Sequence, residues 1–262
     1  MIEELGMNKR SARRDFLKVA AVGVTAATAT QFIKPAAAAE DQAKGRRQWV
    51  MVIDQSKCIG CGYCTLACQA HNDINPAIEW NRVTPVGKLA GKDVFLPRPC
   101  MQCSKAPCVE VCPVNASYYR PDGIVMMDYD RCIGCRYCEV ACPYQARSFN
   151  WDAFDGPNPA VPKWGQPEVA RRPRGVVEKC AFCYQRIDRG IALGLEPGAD
   201  VDATPACVVA CPTGARIFGD LNDPASAVSQ LLKDHVTYRL REELGTQPRV
   251  YYIAPDVQNM EG

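Results

Sequence analysis

Sixteen cysteines fall into four sets of four with none left over: Cys58, Cys61, Cys64 and Cys68; Cys100, Cys103, Cys108 and Cys112; Cys132, Cys135, Cys138 and Cys142; Cys180, Cys183, Cys207 and Cys211. The first and third sets are both C-x2-C-x2-C-x3-C, and a proline follows Cys112, Cys142 and Cys211. Thiolates at that spacing are ligands for cubane iron–sulfur clusters, in which three cysteines wrap a tight loop around one face and the fourth reaches a neighbouring cluster. The chemistry of such a site is one-electron transfer. All sixteen cysteines are candidate metal ligands. No residue is a candidate catalyst, because the chain shows no nucleotide loop, nucleophile–base arrangement or open metal site.

The cysteine loops repeat. Cys58-Ile-Gly-Cys-Gly-Tyr-Cys-Thr-Leu-Ala-Cys68 and Cys132-Ile-Gly-Cys-Arg-Tyr-Cys-Glu-Val-Ala-Cys142 agree at eight of eleven positions. The other two sets end alike, in Cys108-Val-Glu-Val-Cys-Pro-Val-Asn-Ala116 and Cys207-Val-Val-Ala-Cys-Pro-Thr-Gly-Ala215. A duplicated unit of two motifs follows, one half spanning about residues 58–116 and the other 132–215. Gly60 and Gly134 let the backbone approach a cluster closely. The fourth cysteine of each loop is expected to begin a short helix. Gln69 replaces the proline after the first motif, so that helix should run on through His71.

From Cys58 to about Gly219 the chain resembles the four-cluster ferredoxin-type electron-transfer subunits of membrane-bound bacterial oxidoreductases. These include the iron–sulfur subunits of polysulfide, tetrathionate and formate-dependent nitrite reductases, and the exported iron–sulfur subunit of the sulfite-reductase-associated Dsr complex. The resemblance implies an α+β fold: two interleaved bacterial-ferredoxin-like units around four [4Fe–4S] clusters, with short strands, long loops and a C-terminal helix. In that family the first motif pairs with the fourth and the second with the third. Carried over, this implies one cluster on Cys58, Cys61, Cys64 and Cys211 and another on Cys180, Cys183, Cys207 and Cys68. The remaining two fall to Cys100, Cys103, Cys108 and Cys142, and to Cys132, Cys135, Cys138 and Cys112. Four residues separate Cys103 from Cys108 and twenty-three separate Cys183 from Cys207; both resemble family variants.

The implied function is relay of single electrons between a quinone-reactive integral membrane subunit and a second redox subunit, often a molybdopterin enzyme. In a Dsr-type complex the partners would instead be multihaem and iron–sulfur subunits. A stand-alone periplasmic ferredoxin is the reading of a different class.

Elements must hold the loops in place. Trp49 to Asp54 and Gly123 to Asp128 read as short strands feeding cysteine loops, and Val94 to Leu96 as another. Residues 150–174 hold five prolines and should be an irregular loop, either a docking surface or a wrapping over a cluster. Pro224 to Glu243 reads as an amphipathic helix begun by Asp223 and stopped by Gly245, with Val228, Leu231, Leu232, Val236, Leu240 and Leu244 on one face. Arg249 to Ile253 reads as a closing edge strand. The domain layout is thus residues 1–39, 40–219 and 220–262.

Residues 1–39 carry Arg13-Arg14, a mildly apolar run from Val19 to Ile33, and Ala36 to Ala39 before the mature chain. This reads as a twin-arginine export signal, whether the chain starts at Met1 or Met7. That route suits cluster proteins, since it moves them already folded. A periplasmic protein peripheral to the cytoplasmic membrane is expected, held there through its partners only. Without residues 1–39 the chain has 25 basic and 26 acidic residues, which gives no electrostatic case for nucleic acid.

Other readings of the cysteines fit less well. Cysteines two residues apart rarely pair without strain, and disulfides need no repeated register. Zinc sites use two separated C-x2-C knuckles instead of a triple-cysteine loop. His71 and His235 are the only histidines, and a structural role is expected for both. Arg131, Arg136, Lys105, Lys179 and Arg186 flank the cysteines and are expected mostly to be solvated surface charges.

Overall fold

Five apolar residues and an aspartate directly precede the first cysteine loop, and a segment that is apolar on both faces must be covered on both. A computed structural model describing residues 46–255 shows Trp49–Asp54 as strand β1, buried at every position. Its Trp49, Met51 and Ile53 face the core that also holds most of the cysteines. Its Val50 and Val52 pack on Val228 and Ile253. The expected twin-arginine signal falls on residues 1–39, outside the described residues.

β1 is central in a four-stranded sheet of order β8-β1-β10-β9, where β8 is Arg216–Asp220, β9 is Thr237–Tyr238 and β10 is Val250–Ile253. β8 runs antiparallel to β1, pairing Met51 with Phe218, and β10 runs parallel to it, pairing Met51 with Val250. The first motif, the last motif and the C-terminal segment therefore share one sheet. The expected edge strand is an interior one, because β9 pairs outside it with Tyr238 opposite Tyr252, their rings 5.4 Å apart. Two residues are too few to show strand alternation in a sequence.

Among the described residues three two-stranded ribbons complete the β-sheet structure. They are β2 with β3 (Arg82–Leu89 and Lys92–Arg98), β4 with β5 (Ser117–Tyr119 and Val125–Met127), and β6 with β7 (Ser148–Phe149 and Val177–Glu178). The longest ribbon was legible only at Val94 to Leu96. Pro85 and Gly87 mask its partner strand and sit at an irregularity in the pairing.

The helices belong to the cysteine motifs. α1 is Tyr63–His71, α2 Pro107–Glu110, α3 Tyr137–Val140, α4 Tyr184–Ala192 and α5 Ala206–Val209. Each of α1, α2, α3 and α5 opens one residue before a motif's third cysteine, so the fourth cysteine does not begin a helix. It lies in the last turn of α1 (Cys68) or just beyond α2, α3 and α5 (Cys112, Cys142, Cys211). The following proline explains the early stop; where Gln69 replaces it, α1 continues to His71.

α6 spans only Ala227–Asp234, against the expected Pro224 to Glu243. Its cap is Ser226, whose hydroxyl accepts from Ser229 N at 3.3 Å, so Asp223 does not begin it. The helix stops where β-branched Val236 and Thr237 extend the chain into β9, and Val236 is 94 % exposed. The segment before Gly245 is a single 3-10 turn, Glu242–Leu244. Among the described residues no helix is long and apolar enough to cross a membrane.

Residues 150–176 contain no helix or strand. Polar side chains tie this loop to the end of α1. Asn158 donates to the Gln69 carbonyl at 3.0 Å, Arg171 pairs with Asp73 at 2.9 Å, and Glu168 N donates to the His71 carbonyl at 2.9 Å. Trp164 packs on Tyr63 of the first motif, ring centres 4.6 Å apart. The loop thereby covers the first motif's helix.

Candidate functional site

Short local rules build each cysteine loop. Gly60 and Gly134 have φ of +71° and +68°, and a side chain at either would strike Phe95 of β3 or the Gly175 carbonyl respectively. Gly62, Arg136 and Cys183, each left-handed, turn the chain into α1, α3 and α4. Pro107 opens α2 and Pro205 precedes α5, which suits a helix start.

Tertiary structure then gathers thiols from different motifs. Cys58, Cys61 and Cys64 line one cavity with Cys211, beside Val83 and Pro97 of the β2–β3 ribbon. Cys68 lines a second with Cys180, Cys183 and Cys207. Cys112 lines a third with Cys132, Cys135 and Cys138. In the remaining group, Cys103 lies in the field of Cys100, Cys108 and Cys142. Motif one is thus crossed with motif four, and motif two with motif three.

The groups form a row. Cys207 feels Cys64 of the first group, Cys180 feels Cys100, and Cys138 feels Cys108. In order along the row the groups are those of Cys58, Cys68, Cys100 and Cys112. The second is buried throughout, whereas Cys61 and Cys135 at the two ends are exposed.

The donor set fits iron–sulfur clusters. All sixteen cysteines are free of disulfides. Without a cation their burial is unfavourable: desolvation, then neighbouring thiols such as Cys100, pushes both Cys103 and Cys180 up to about 12. Iron supplies the positive charge that makes such thiols thiolates. Among the described residues no three His, Cys, Asp or Glu side chains converge as a single ion requires; the four thiols of the first, second and fourth groups each line a cavity instead.

Donors point at the sulfurs. Asn72 Nδ2 lies 3.8 Å from Cys68 Sγ and 3.7 Å from Cys183 Sγ. Ser117 N donates to Cys112 Sγ at 3.4 Å and Phe182 N to Cys180 Sγ at 3.5 Å. Arg147 donates to Cys108 Sγ at 3.1 Å, and Arg216 lies 3.8 Å from Cys207 Sγ. Residue order alone did not single out either arginine. Their signal was shared position, five residues after the cysteine in Cys142-Pro-Tyr-Gln-Ala-Arg147 and Cys211-Pro-Thr-Gly-Ala-Arg216.

Two of the expected surface charges are buried. Lys179 donates to the Val125 and Cys180 carbonyls, and Arg186 to the Thr204 carbonyl at 2.6 Å and to Glu168 at 2.6 Å. Arg131 and Lys105 are exposed and Arg136 is half-buried. His71 pairs with Glu168 at 3.1 Å. Burial would raise the Glu168 carboxyl, but the His71 hydrogen bond and the Arg186 charge hold it at about 2. This cluster pins residues 150–176 onto α1 and is structural.

Residues 92–155 and 131–215 each match a 4Fe–4S dicluster domain, and residues 49–70 match a 4Fe–4S binding domain. The chain is 47 % identical over 219 residues to a putative dimethyl sulfoxide reductase iron–sulfur subunit of Halobacterium salinarum, covering 78 % of each. It is 47 % identical over 230 residues to the iron–sulfur cluster-binding subunit of menaquinone reductase of Nitratidesulfovibrio vulgaris, covering 79 % of this chain and 89 % of that one. A selenate reductase subunit of Mesobacillus selenatarsenatis is 40 % identical over 221 residues, 79 % of this chain and 72 % of that one. With free thiols gathered in cavities and family matches over residues 49–70 and 92–215, the protein carries multiple [4Fe–4S] clusters and belongs to the family of iron–sulfur electron-transfer subunits of membrane-associated oxidoreductase complexes.

Proposed function

We propose that the sixteen thiolates hold four [4Fe–4S] clusters in the crossed sets, and that electrons travel along the row from one exposed end to the other. Bound clusters supply reversible one-electron chemistry. The chain's own residues space the sites, exclude water from the middle of the row and direct hydrogen bonds at the sulfurs. The contrast between middle and ends carries this reading. Cys68, Cys180, Cys183 and Cys207 are buried, while the end loops expose Ile59 (62 %) and Ile133 (65 %) beside exposed Cys61 and Cys135. An electron can enter or leave only where a partner approaches a cluster.

One end then meets a quinone-reactive integral membrane subunit and the other a molybdopterin subunit. A menaquinone reductase subunit among the relatives supports the first partner, and the family resemblance supports the second. Export by the twin-arginine route places the complex on the outer, periplasmic face of the cytoplasmic membrane, with Arg13 and Arg14 as the sequence support.

Anaerobically purified protein should contain iron and acid-labile sulfide in a one-to-one ratio with its 16 cysteines. Stoichiometric zinc, or thiols oxidised in pairs, overturns the cluster assignment. A molybdopterin subunit and a membrane quinone protein should purify with the chain. A multihaem partner would point instead to a Dsr-type complex, and release from membranes by salt to a diffusing ferredoxin.

A further inference from the structure

Two arginines sit between neighbouring thiol groups. Arg147, 3 % exposed, donates to Cys108 Sγ in the third group at 3.1 Å, and its charge acts on Cys138 in the fourth. It also donates to Ser117 Oγ at 2.5 Å, and Ser117 N donates to Cys112 Sγ of the fourth group. Arg216, 4 % exposed, repeats the arrangement one pair along. It lies 3.8 Å from Cys207 Sγ of the second group, and its charge acts on Cys64 and Cys211 of the first. Each guanidinium also reaches a methionine sulfur, Met127 at 3.4 Å and Met51 at 3.6 Å. Among the described residues no hydrogen-bonded carboxylate neutralises either one: the polar partners are Ser117 for Arg147 and Asn81 Oδ1, at 2.7 Å, for Arg216.

A guanidinium keeps its charge at any working pH. A buried unpaired charge is costly unless an opposite charge offsets it. Resting on the four-cluster reading above, we infer that Arg147 and Arg216 are shared potential-setting residues: each holds one permanent positive charge between two anionic clusters and raises the potentials of both. Reduction adds one electron to a cluster and breaks no bond at the arginine, so the guanidinium favours the reduced form of either neighbour. With one such charge per pair, each half of the row receives an electrostatic shift of the same sign.

The test is a redox titration with dithionite, followed by electron paramagnetic resonance, on the full chain purified anaerobically with its clusters. Arg147→Gln should lower two of the four midpoint potentials, each by at least a tenfold loss in the reduction equilibrium, about 59 mV for a one-electron couple. Arg216→Gln should lower the other two. Lysine at either position should restore most of the potential, whereas a purely structural role would not separate lysine from glutamine. Ser117→Asp, which sets a carboxylate against Arg147 without removing it, should lower the same two potentials as Arg147→Gln. Unchanged potentials in a glutamine variant with full iron and sulfide overturn the inference. So does cluster loss in both glutamine variants and in Ser117→Asp, which would assign the arginines to assembly. Failure of the wild-type chain to show four clusters overturns the four-cluster reading instead.

Discussion

Alanine at Gly134 would meet two separate obstacles. The residue sits at φ +68°, where an L side chain costs roughly 1 kcal/mol or more. Its new methyl group would also fall well inside 3.0 Å of the Gly175 carbonyl oxygen, an atom of the backbone that no rotamer change can move aside. Restoring an ordinary contact of 3.4 Å requires the cysteine loop and residue 175 to part by about 1 Å, and overpacking of that kind costs about 1–3 kcal/mol. Gly62 is the control, because its φ is +75° and an added methyl there meets nothing within 4 Å. Gly62→Ala isolates the backbone term and should lower the melting temperature by about 2–4 °C. Gly134→Ala should lower it at least twice as far and reduce iron content at the Cys112, Cys132, Cys135 and Cys138 site. Gly60→Ala should fall between them, since its obstacle is the Phe95 ring and a ring can turn. The assay is loss of cluster absorbance on heating, at one scan rate under anaerobic conditions, because cofactor loss makes such melting irreversible. If Gly134→Ala melts together with Gly62→Ala, the close approach to Gly175 does not constrain the loop.

Cys142→Ser should remove the cluster shared with Cys100, Cys103 and Cys108 and leave the one beside Cys132 assembled; spectra showing the reverse would mean that the ligand sets are not crossed. Oxidative cluster removal with ferricyanide and a chelator should abolish protease resistance, because twelve of the cysteines line the cavities at Cys58, Cys68 and Cys112 and many of the same thiols lie in the main core; an apoprotein digested as slowly as the holoprotein would refute this. Ser226→Ala should destabilise α6 by about 1 kcal/mol while Asp223→Ala changes less, which denaturant midpoints can compare. Arg171→Ala, which removes the Asp73 pair and two carbonyl contacts to Phe154 and Gly156, should speed proteolysis within residues 150–174 without altering iron content.

Much of the site was legible from residue order because cluster loops are local devices. Three cysteines two residues apart, with glycine at positions 60 and 134, carry their own turn geometry, and β1 announces itself by an unbroken apolar run. The helix after the first motif could be followed to His71 because only one of the four fourth cysteines lacks a proline behind it. The end of α6 was not legible. Its apolar period continues past Asp234, and the competing pull is strand pairing of Thr237–Tyr238 with residues at 252 and 253. Such pairing is a long-range contact that no local pattern records.

The order of cysteines along the chain determined the chemistry, because ligand type and close spacing are properties of short segments. Only the tertiary structure decided which distant thiol completes each group, since Cys211 joins Cys58 through the pairing of β8 with β1. It also decided that Arg147, Arg216, Lys179 and Arg186 are buried. A charged side chain carries no mark of burial in its own neighbourhood; burial comes from the elements that close over it, and here those elements are brought together by the crossing of the motifs.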